Sequence, residues 1–243
     1  MLLKLLNLLA PFYFLCLLSV TFSLQIFLFL PGMCEDPSGI LNLYGLLNSC
    51  LFLFLLVNVV GNYILVIWNS PGVGHIGTES EIDSKPFCHL CARVMSEQEH
   101  HCFFTGTCIG RSNWRSFVFF CMHTSCSCFH AVVSGVGYIS EIISLSFFDP
   151  LTFLKLLPHS ITRFFSGSIL SSDMLVVLMI YVWFGVGLAC AAFCCHQLML
   201  ISKGPSCFQN PQINTAAKRS VNLHNVFGDR WILGILVPQP RDP

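Results

Sequence analysis

Four long apolar runs restrict the possible folds of this chain more than any other feature of its sequence. They cover residues 5–30, 41–68, 116–140 and 174–201, and none contains a charged residue. Each exceeds the roughly 20 residues that a helix needs to cross a hydrocarbon core of about 30 Å. Only helices and closed barrels satisfy their backbone hydrogen bonds in lipid, and these runs lack the strict alternation of barrel strands. The sequence therefore predicts an all-α membrane protein with four transmembrane helices.

Composition indicates the same class, because 54% of the 243 residues are hydrophobic and only 10% are charged. These values fall outside the range of soluble globular domains. The first run is far longer than the apolar core of a signal peptide, so we expect it to be retained as the first helix. The formal net charge is zero, and the sequence contains no basic patch that would indicate a nucleic-acid partner.

Basic residues predict the orientation of the helices. All but two of the twelve Lys and Arg residues lie at the N-terminus, between the second and third helices, or in the C-terminal tail. Because Lys- and Arg-rich loops stay in the cytosol, we expect both termini and the loop 69–113 to be cytosolic, and the loop at about 141–173 to be lumenal. The chain then divides into helices 1 and 2 (1–68), a Cys/His-rich domain (69–113), helices 3 and 4 (114–201) and a tail (202–243).

The Cys/His-rich domain contains a candidate metal site. Its central stretch, residues 88–110, reads CHLCARVMSEQEHHCFFTGTCIG, with a C-x2-C pair at Cys88 and Cys91 followed by His101 and Cys108. Three thiolates and one imidazole suit a closed, tetrahedral structural zinc site. A segment this short and polar cannot bury a core of its own, so the metal would supply much of its folding free energy. The spacing predicts one zinc ion.

The same stretch contains a candidate nucleophile, Cys102, which is not one of these four ligands. Cytosolic thiols stay reduced, so metal binding or thiol chemistry is a better explanation for the loop cysteines than a disulfide framework. A nucleophilic cysteine needs a base, and the base needs an orienting acceptor. Glu99, His100 and Cys102 can fill these three roles within four residues. From spacing alone, His100 can equally be the ligand and His101 the base, and Cys102 can also be a ligand.

Several short motifs resemble one known family. They are HHC at 100–102, CIG at 108–110 with Asn113 and Phe117 downstream, and, in the tail, Asn222 with VFG at 226–228. With these motifs the chain resembles the DHHC-type protein S-acyltransferases, or palmitoyltransferases. These enzymes have four transmembrane helices and a cytosolic Cys-rich domain between the second and third.

The resemblance implies a role for each residue of the stretch. Cys102 would carry the acyl thioester, His100 would be the base, and Glu99 stands where the family has Asp. The four ligands of one zinc ion would be Cys88, Cys91, His101 and Cys108. The reaction would transfer a long-chain acyl group such as palmitoyl from acyl-CoA to cysteines on the cytosolic face of membrane proteins or membrane-associated proteins. The family also implies an endoplasmic reticulum or Golgi membrane.

Basic residues near the cytosolic interface are candidates for the CoA phosphates. They are Arg111, Arg115, Lys203 and Lys218. Positive-inside topology alone would also place basic residues at these positions.

The chain departs from the family pattern in several places, and these departures motivate alternative functions. Glu99 replaces Asp, Phe103 and Phe104 replace Pro-Trp, and residues 206–209 differ from the Thr-Thr-x-Glu of the family. The positions of a second zinc site hold residues that cannot ligate: Gly74, Gly77, Phe87 and Val94. One alternative is a weak or inactive zinc-binding membrane scaffold. Another is an unrelated four-helix protein that binds zinc for assembly, against which the tail motif argues.

Overall fold

A computed structural model describes residues 2–31, 43–71, 86–95, 99–143, 151–203 and 216–240. Within these ranges four helices are long and apolar enough to cross a membrane. They are α1 (Leu2–Leu24), α2 (Leu43–Trp68), α3 (Trp114–Ile142) and α5 (Ser171–Lys203), and α1 continues as a π-helical stretch, Gln25–Phe29. Their bounds lie within a few residues of the four apolar runs, so the predicted four-span all-α fold is confirmed.

The chain forms two compact units, and each long helix contributes residues to both. The first unit comprises Met1–Leu17, Leu56–His123 and Ala191–Pro243, and the second comprises Leu18–Leu55 and Thr124–Cys190. The Cys/His-rich segment and the tail both belong to the first unit, which therefore contains all the candidate site residues.

Small residues allow close helix packing in the second unit. Ser125 donates a hydrogen bond to the carbonyl oxygen of Gly187 on α5 (2.9 Å). A Cβ at Gly135 would lie 3.1 Å from the Trp183 ring, whose indole nitrogen donates to Thr21 on α1 (2.8 Å). These contacts agree with the general preference for small residues and interhelical hydrogen bonds within membranes.

A further helix, α4 (Thr152–Phe165), lies within the segment that the sequence predicted as a lumenal loop. It packs on α5, where the Tyr181 hydroxyl accepts the backbone N–H of Leu157 (3.1 Å) and donates to the carbonyl oxygen of Phe153. Leu156 of this helix is also buried. The loop is therefore partly ordered as a helix, because its apolar residues have α5 as a packing surface.

The Cys/His-rich segment folds as two small antiparallel hairpins in the first unit. Strands β1 (Phe87–Cys88) and β2 (Arg93–Val94) form one hairpin, and β3 (His100–Cys102) and β4 (Thr107–Ile109) form the other. In the second hairpin His101 is paired with Cys108, and Cys102 with Thr107. Left-handed backbone conformations at Ala92 and Gly106 allow the two tight turns.

Asn113 fastens the second hairpin to the membrane helices. Its fully buried side chain accepts the N–H of Gly110 (2.8 Å), and it donates to the carbonyl oxygens of Val66 on α2 and Cys108 on β4 (3.0 Å each). This one amide therefore joins α2, β4 and the start of α3.

The tail forms two short helices, α6 (Ala216–Phe227) and α7 (Trp231–Leu236). Asn222 in α6 donates to the carbonyl oxygen of Ser202 at the end of α5 (3.0 Å). The end of α7 lies on α2 and α3. Asn58 of α2 donates to the carbonyl oxygen of Leu236 (3.3 Å). A ring nitrogen of His123 on α3 lies 3.0 Å from the carbonyl oxygen of Ile235. The apolar end of the tail therefore packs against helices of the first unit.

Candidate active site and metal centre

The four predicted metal ligands converge at one point. The ligand atoms of Cys88, Cys91, His101 and Cys108 all lie within 4.8 Å of one another. Nδ1 of His101 is 3.4 Å from the sulfur of Cys91, 3.5 Å from that of Cys88 and 3.8 Å from that of Cys108. Zinc–sulfur and zinc–nitrogen bonds of about 2.3 and 2.0–2.1 Å in a tetrahedron would separate such atoms by roughly 3.5 Å. The donor set and its spacing therefore fit zinc.

The pKa values of the three thiols are shifted in different directions by their surroundings. Burial raises the pKa of Cys91 and Cys108 above the ordinary thiol value. Burial acts in the same direction on Cys88, but hydrogen bonds from the N–H of Cys91 and from the Cys108 thiol bring its pKa below the ordinary value overall. A divalent ion would supply the positive charge that three neighbouring thiolates need.

The structure separates the two neighbouring histidines of β3. Successive residues of a strand point to opposite faces, so His100 and Cys102 share one face and His101 points to the other. His101 faces the three thiols, whereas the ring of His100 lies edge-on to Phe117, with ring centres 5.6 Å apart. The arrangement brings His101, and not His100, to the metal cluster. It also leaves Cys102 outside that cluster, with its side chain half-buried.

His100 has the environment of a neutral imidazole. Burial lowers its pKa below the ordinary value, and nearby His196 and His101 lower it further. A neutral ring can accept a proton, which is the property that a general base requires.

Glu99 lies in a buried ion pair with Arg93, which we did not identify from the sequence. The Arg93 guanidinium and the Glu99 carboxylate approach to 2.5 Å, and their side chains are only 8% and 11% exposed. A Cβ at Gly110 would lie 2.5 Å from the other carboxylate oxygen, so a larger residue there would displace the carboxylate. Glu99 is thus held between Arg93 of β2 and the backbone that follows β4. The available sequence signal was Arg93, a charged residue between the ligand positions Cys91 and His101.

Asn7 is the second residue that sequence reasoning missed. Its side-chain oxygen lies 2.8 Å from Nε2 of His101, although the two residues are 94 positions apart in sequence. A single polar residue near the start of an apolar run gives only a weak signal, because it does not reveal its partner.

The turn that follows Cys102 is held by α2 and the backbone beyond it. The Tyr63 hydroxyl donates to the carbonyl oxygen of Phe104 (3.2 Å), and the side chains of Ser70 and Thr107 are hydrogen-bonded. The turn that follows Cys102 is therefore fixed to α2 and to the residues just after it.

The four candidate phosphate-binding residues have different surroundings. Arg111 and Lys203 are exposed. Arg115 is buried beside α7, where a Cβ at Gly234 would lie 2.6 Å from its guanidinium, and it lies over the Phe119 ring. The side chain of Lys218 lies outside the described residues.

Four membrane-spanning helices and a Cys3His cluster beside a separate Cys/His pair define a multi-pass membrane protein with a zinc-type centre. Comparison with known proteins gives the family. A family model described as DHHC palmitoyltransferase matches residues 80–212. The chain is 53% identical over 246 residues to palmitoyltransferase ZDHHC22 of Rattus norvegicus, covering 97% of this chain and 94% of that protein.

Two further relatives support the assignment. Palmitoyltransferase ZDHHC22 of Danio rerio is 39% identical over 255 residues, covering 98% of this chain and 92% of that protein. Palmitoyltransferase erf2 of Schizosaccharomyces pombe is 26% identical over 152 residues, covering 62% of this chain and 39% of that protein. The chain belongs to the DHHC palmitoyltransferase family, as its motifs predicted.

Proposed function

We propose that this chain transfers a long-chain acyl group from acyl-CoA to cysteine thiols of membrane-associated proteins, through an acyl thioester on Cys102 with His100 as the general base. The observation that carries this proposal is the alternation along β3. It puts His100 and Cys102 on one face, while His101 on the other face joins the three-thiol cluster. The nucleophile and its base are therefore neighbours on a strand whose opposite side would be held by zinc.

The proposed reaction has two displacements. In the first, His100 takes the proton of the Cys102 thiol, and the thiolate attacks the acyl-CoA carbonyl carbon. The new thioester bond forms as the bond to the CoA sulfur breaks, and CoA leaves as the thiol with the proton from His100. In the second, a substrate cysteine gives its proton to His100 and attacks the acyl-enzyme. The new thioester bond to the substrate sulfur forms as the bond to Cys102 breaks, and the Cys102 sulfur receives the proton from His100.

Zinc bound by Cys88, Cys91, His101 and Cys108 would have a structural role. A closed set of four protein ligands leaves no position for substrate, and such sites contribute folding free energy. His101 connects the metal to β3, so that the ion would fix the strand on which the reacting side chains lie.

We assign to Glu99 the task of fixing the start of β3. Its pairing with Arg93 fits this task, because a buried, hydrogen-bonded ion pair holds one geometry. The carboxylate lies directly before His100 in sequence, so its position limits where the imidazole can lie. The longer arm of Glu compared with Asp is compatible with this role, since it reaches the guanidinium in the present geometry.

We further propose that Arg111 and Lys203 contact the CoA phosphates, because both are exposed. Lys218 remains a candidate by its charge, whereas the burial of Arg115 beside α7 makes it the weakest of the four. Both termini and the Cys/His-rich domain would be cytosolic, in an endoplasmic reticulum or Golgi membrane. In that orientation the substrates' reduced thiols are on the same side as the site.

The test is autoacylation of the purified full-length protein with an alkyne-tagged palmitoyl-CoA. We expect hydroxylamine-sensitive label on the wild type, loss of that label in Cys102→Ser, and wild-type label in Cys126→Ser, which removes an exposed cysteine of α3. Equal label on all three would show that Cys102 is not the nucleophile. Absence of label on a folded, zinc-containing wild type would instead favour the scaffold alternative.

A further inference from the structure

We infer that Asn7 of α1 is a positioning residue of the metal centre, which holds the His101 ring so that Nδ1 faces the three thiols. This inference rests on the proposed zinc site and deepens it, because it makes the first membrane helix part of the metal environment. Asn7 contributes no ligand atom and would act only through His101.

The hydrogen-bonding chemistry of the two side chains fixes the tautomer. Nε2 of His101 lies 2.8 Å from Oδ1 of Asn7. An amide oxygen can only accept, so Nε2 must carry the hydrogen of a neutral imidazole. The lone pair is then on Nδ1, the nitrogen that lies 3.4–3.8 Å from the three sulfurs. Asn7 therefore selects the one neutral form of His101 that can bind a metal at this position.

A second contact between α1 and the hairpin lies at the same place. Gly106, in the turn between β3 and β4, has a left-handed backbone (φ +66°). A Cβ there would lie 3.8 Å from the carbonyl oxygen of Asn7 and 3.8 Å from the ring of Pro11. The turn therefore lies against one turn of α1, and the Asn7–His101 hydrogen bond belongs to a packed surface.

The position of Asn7 in an apolar helix gives this contact a physical basis. An amide without partners is costly to bury in hydrocarbon, and a hydrogen bond to another element offsets that cost. The same hydrogen bond orients a metal ligand. Packing of α1 and retention of the metal are therefore expected to depend on each other.

The experiment compares zinc retention in full-length protein purified in detergent. Variants are Asn7→Leu, which removes the acceptor at similar size, and Asn7→Asp, which keeps an acceptor oxygen. The matched control is Asn48→Leu, which removes an asparagine of α2 that accepts a hydrogen bond from Gln25 (3.0 Å). Zinc per polypeptide and zinc transfer to a chromogenic chelator are measured.

We expect Asn7→Leu to lose about 10- to 100-fold in zinc affinity, the usual effect of removing an outer partner of a metal-bound histidine. Asn7→Asp should retain zinc at least as well as the wild type, and Asn48→Leu should match the wild type. Wild-type zinc affinity in Asn7→Leu would overturn the inference, as would equal losses in Asn7→Leu and Asn7→Asp. A wild type without zinc would overturn the proposed metal centre and this inference together.

A measurement on the wild type covers the possibility that Asn7→Leu does not fold. In zinc-loaded protein labelled with ¹⁵N-histidine, NMR reports which ring nitrogen of His101 carries hydrogen, and the His101→Cys variant identifies its signal. We expect hydrogen on Nε2. Hydrogen on Nδ1 would overturn the inference without any substitution at Asn7.

Discussion

The guanidinium of Arg93 and the carboxylate of Glu99 form an ion pair that connects β2 to the residue before the proposed base. Arg93→Gln would leave the Glu99 charge buried without its counterion, and breaking such pairs typically costs about 3–5 kcal/mol. We therefore expect a lower unfolding temperature and a large loss of autoacylation in this variant. Thermal unfolding in detergent and the alkyne-palmitoyl assay measure the two effects. Unchanged values of both would mean that the pair is not needed.

Glu99→Asp gives this chain the residue that its family has at this position, but we expect the change to be harmful here. A carboxylate arm shorter by one methylene no longer reaches Arg93 at 2.5 Å while the backbone is held by the hairpin. Autoacylation should fall several-fold with zinc content unchanged. Higher activity in Glu99→Asp would contradict the anchoring role that we assign to the ion pair. Glu141→Asp is a suitable control, because it makes the same change at an exposed glutamate of α3 outside the pair.

His100 and His101 should respond differently to substitution, although they are adjacent. Loss of the imidazole in His100→Ala removes the proton acceptor. We expect this to slow acyl transfer by about 10²–10⁴-fold with zinc retained. His101→Ala should lose zinc and destabilise the Cys/His-rich segment, because one of four ligands is gone. Zinc analysis and single-turnover acylation on both variants test the assignment. Zinc loss in His100→Ala with zinc retained in His101→Ala would reverse the two roles.

Gly234 in α7 should not tolerate a side chain. A Cβ there would lie 2.6 Å from the Arg115 guanidinium and 2.7 Å from the Phe119 ring, and both of these side chains are buried. We expect Gly234→Ala to destabilise the protein by about 1–3 kcal/mol through overpacking, seen as a lower unfolding temperature. Gly185→Ala on α5 is the control, since nothing lies within 4 Å of its Cβ position. A wild-type unfolding temperature in Gly234→Ala would show that α7 moves away without cost.

The features predicted well from the sequence depend on local patterns. The four spans could be identified because length and absence of charge decide them. The C-x2-C pattern also indicated which four side chains lie together, because this spacing is typical of metal sites. That these four residues bind zinc stays a prediction. The roles of His100 and His101 could not be separated in this way, because they depend on the faces of a strand that spacing does not reveal. The contact of Asn7 with His101 could not be predicted, because the two residues are 94 positions apart in sequence. Helix α4 was missed because its stability comes from packing on α5.

The alternation along β3 has a consequence for sulfur chemistry. Two kinds of cysteine lie within one small hairpin. In the proposed reaction Cys108 would hold the metal throughout, whereas Cys102 would be acylated and released at every turnover. Because their side chains belong to different faces, Cys102 cannot exchange into the ligand set without reversing the strand. Alkylating reagents and oxidants should therefore modify half-buried Cys102 before buried Cys108, so that labelling of Cys102 stops autoacylation while zinc stays bound.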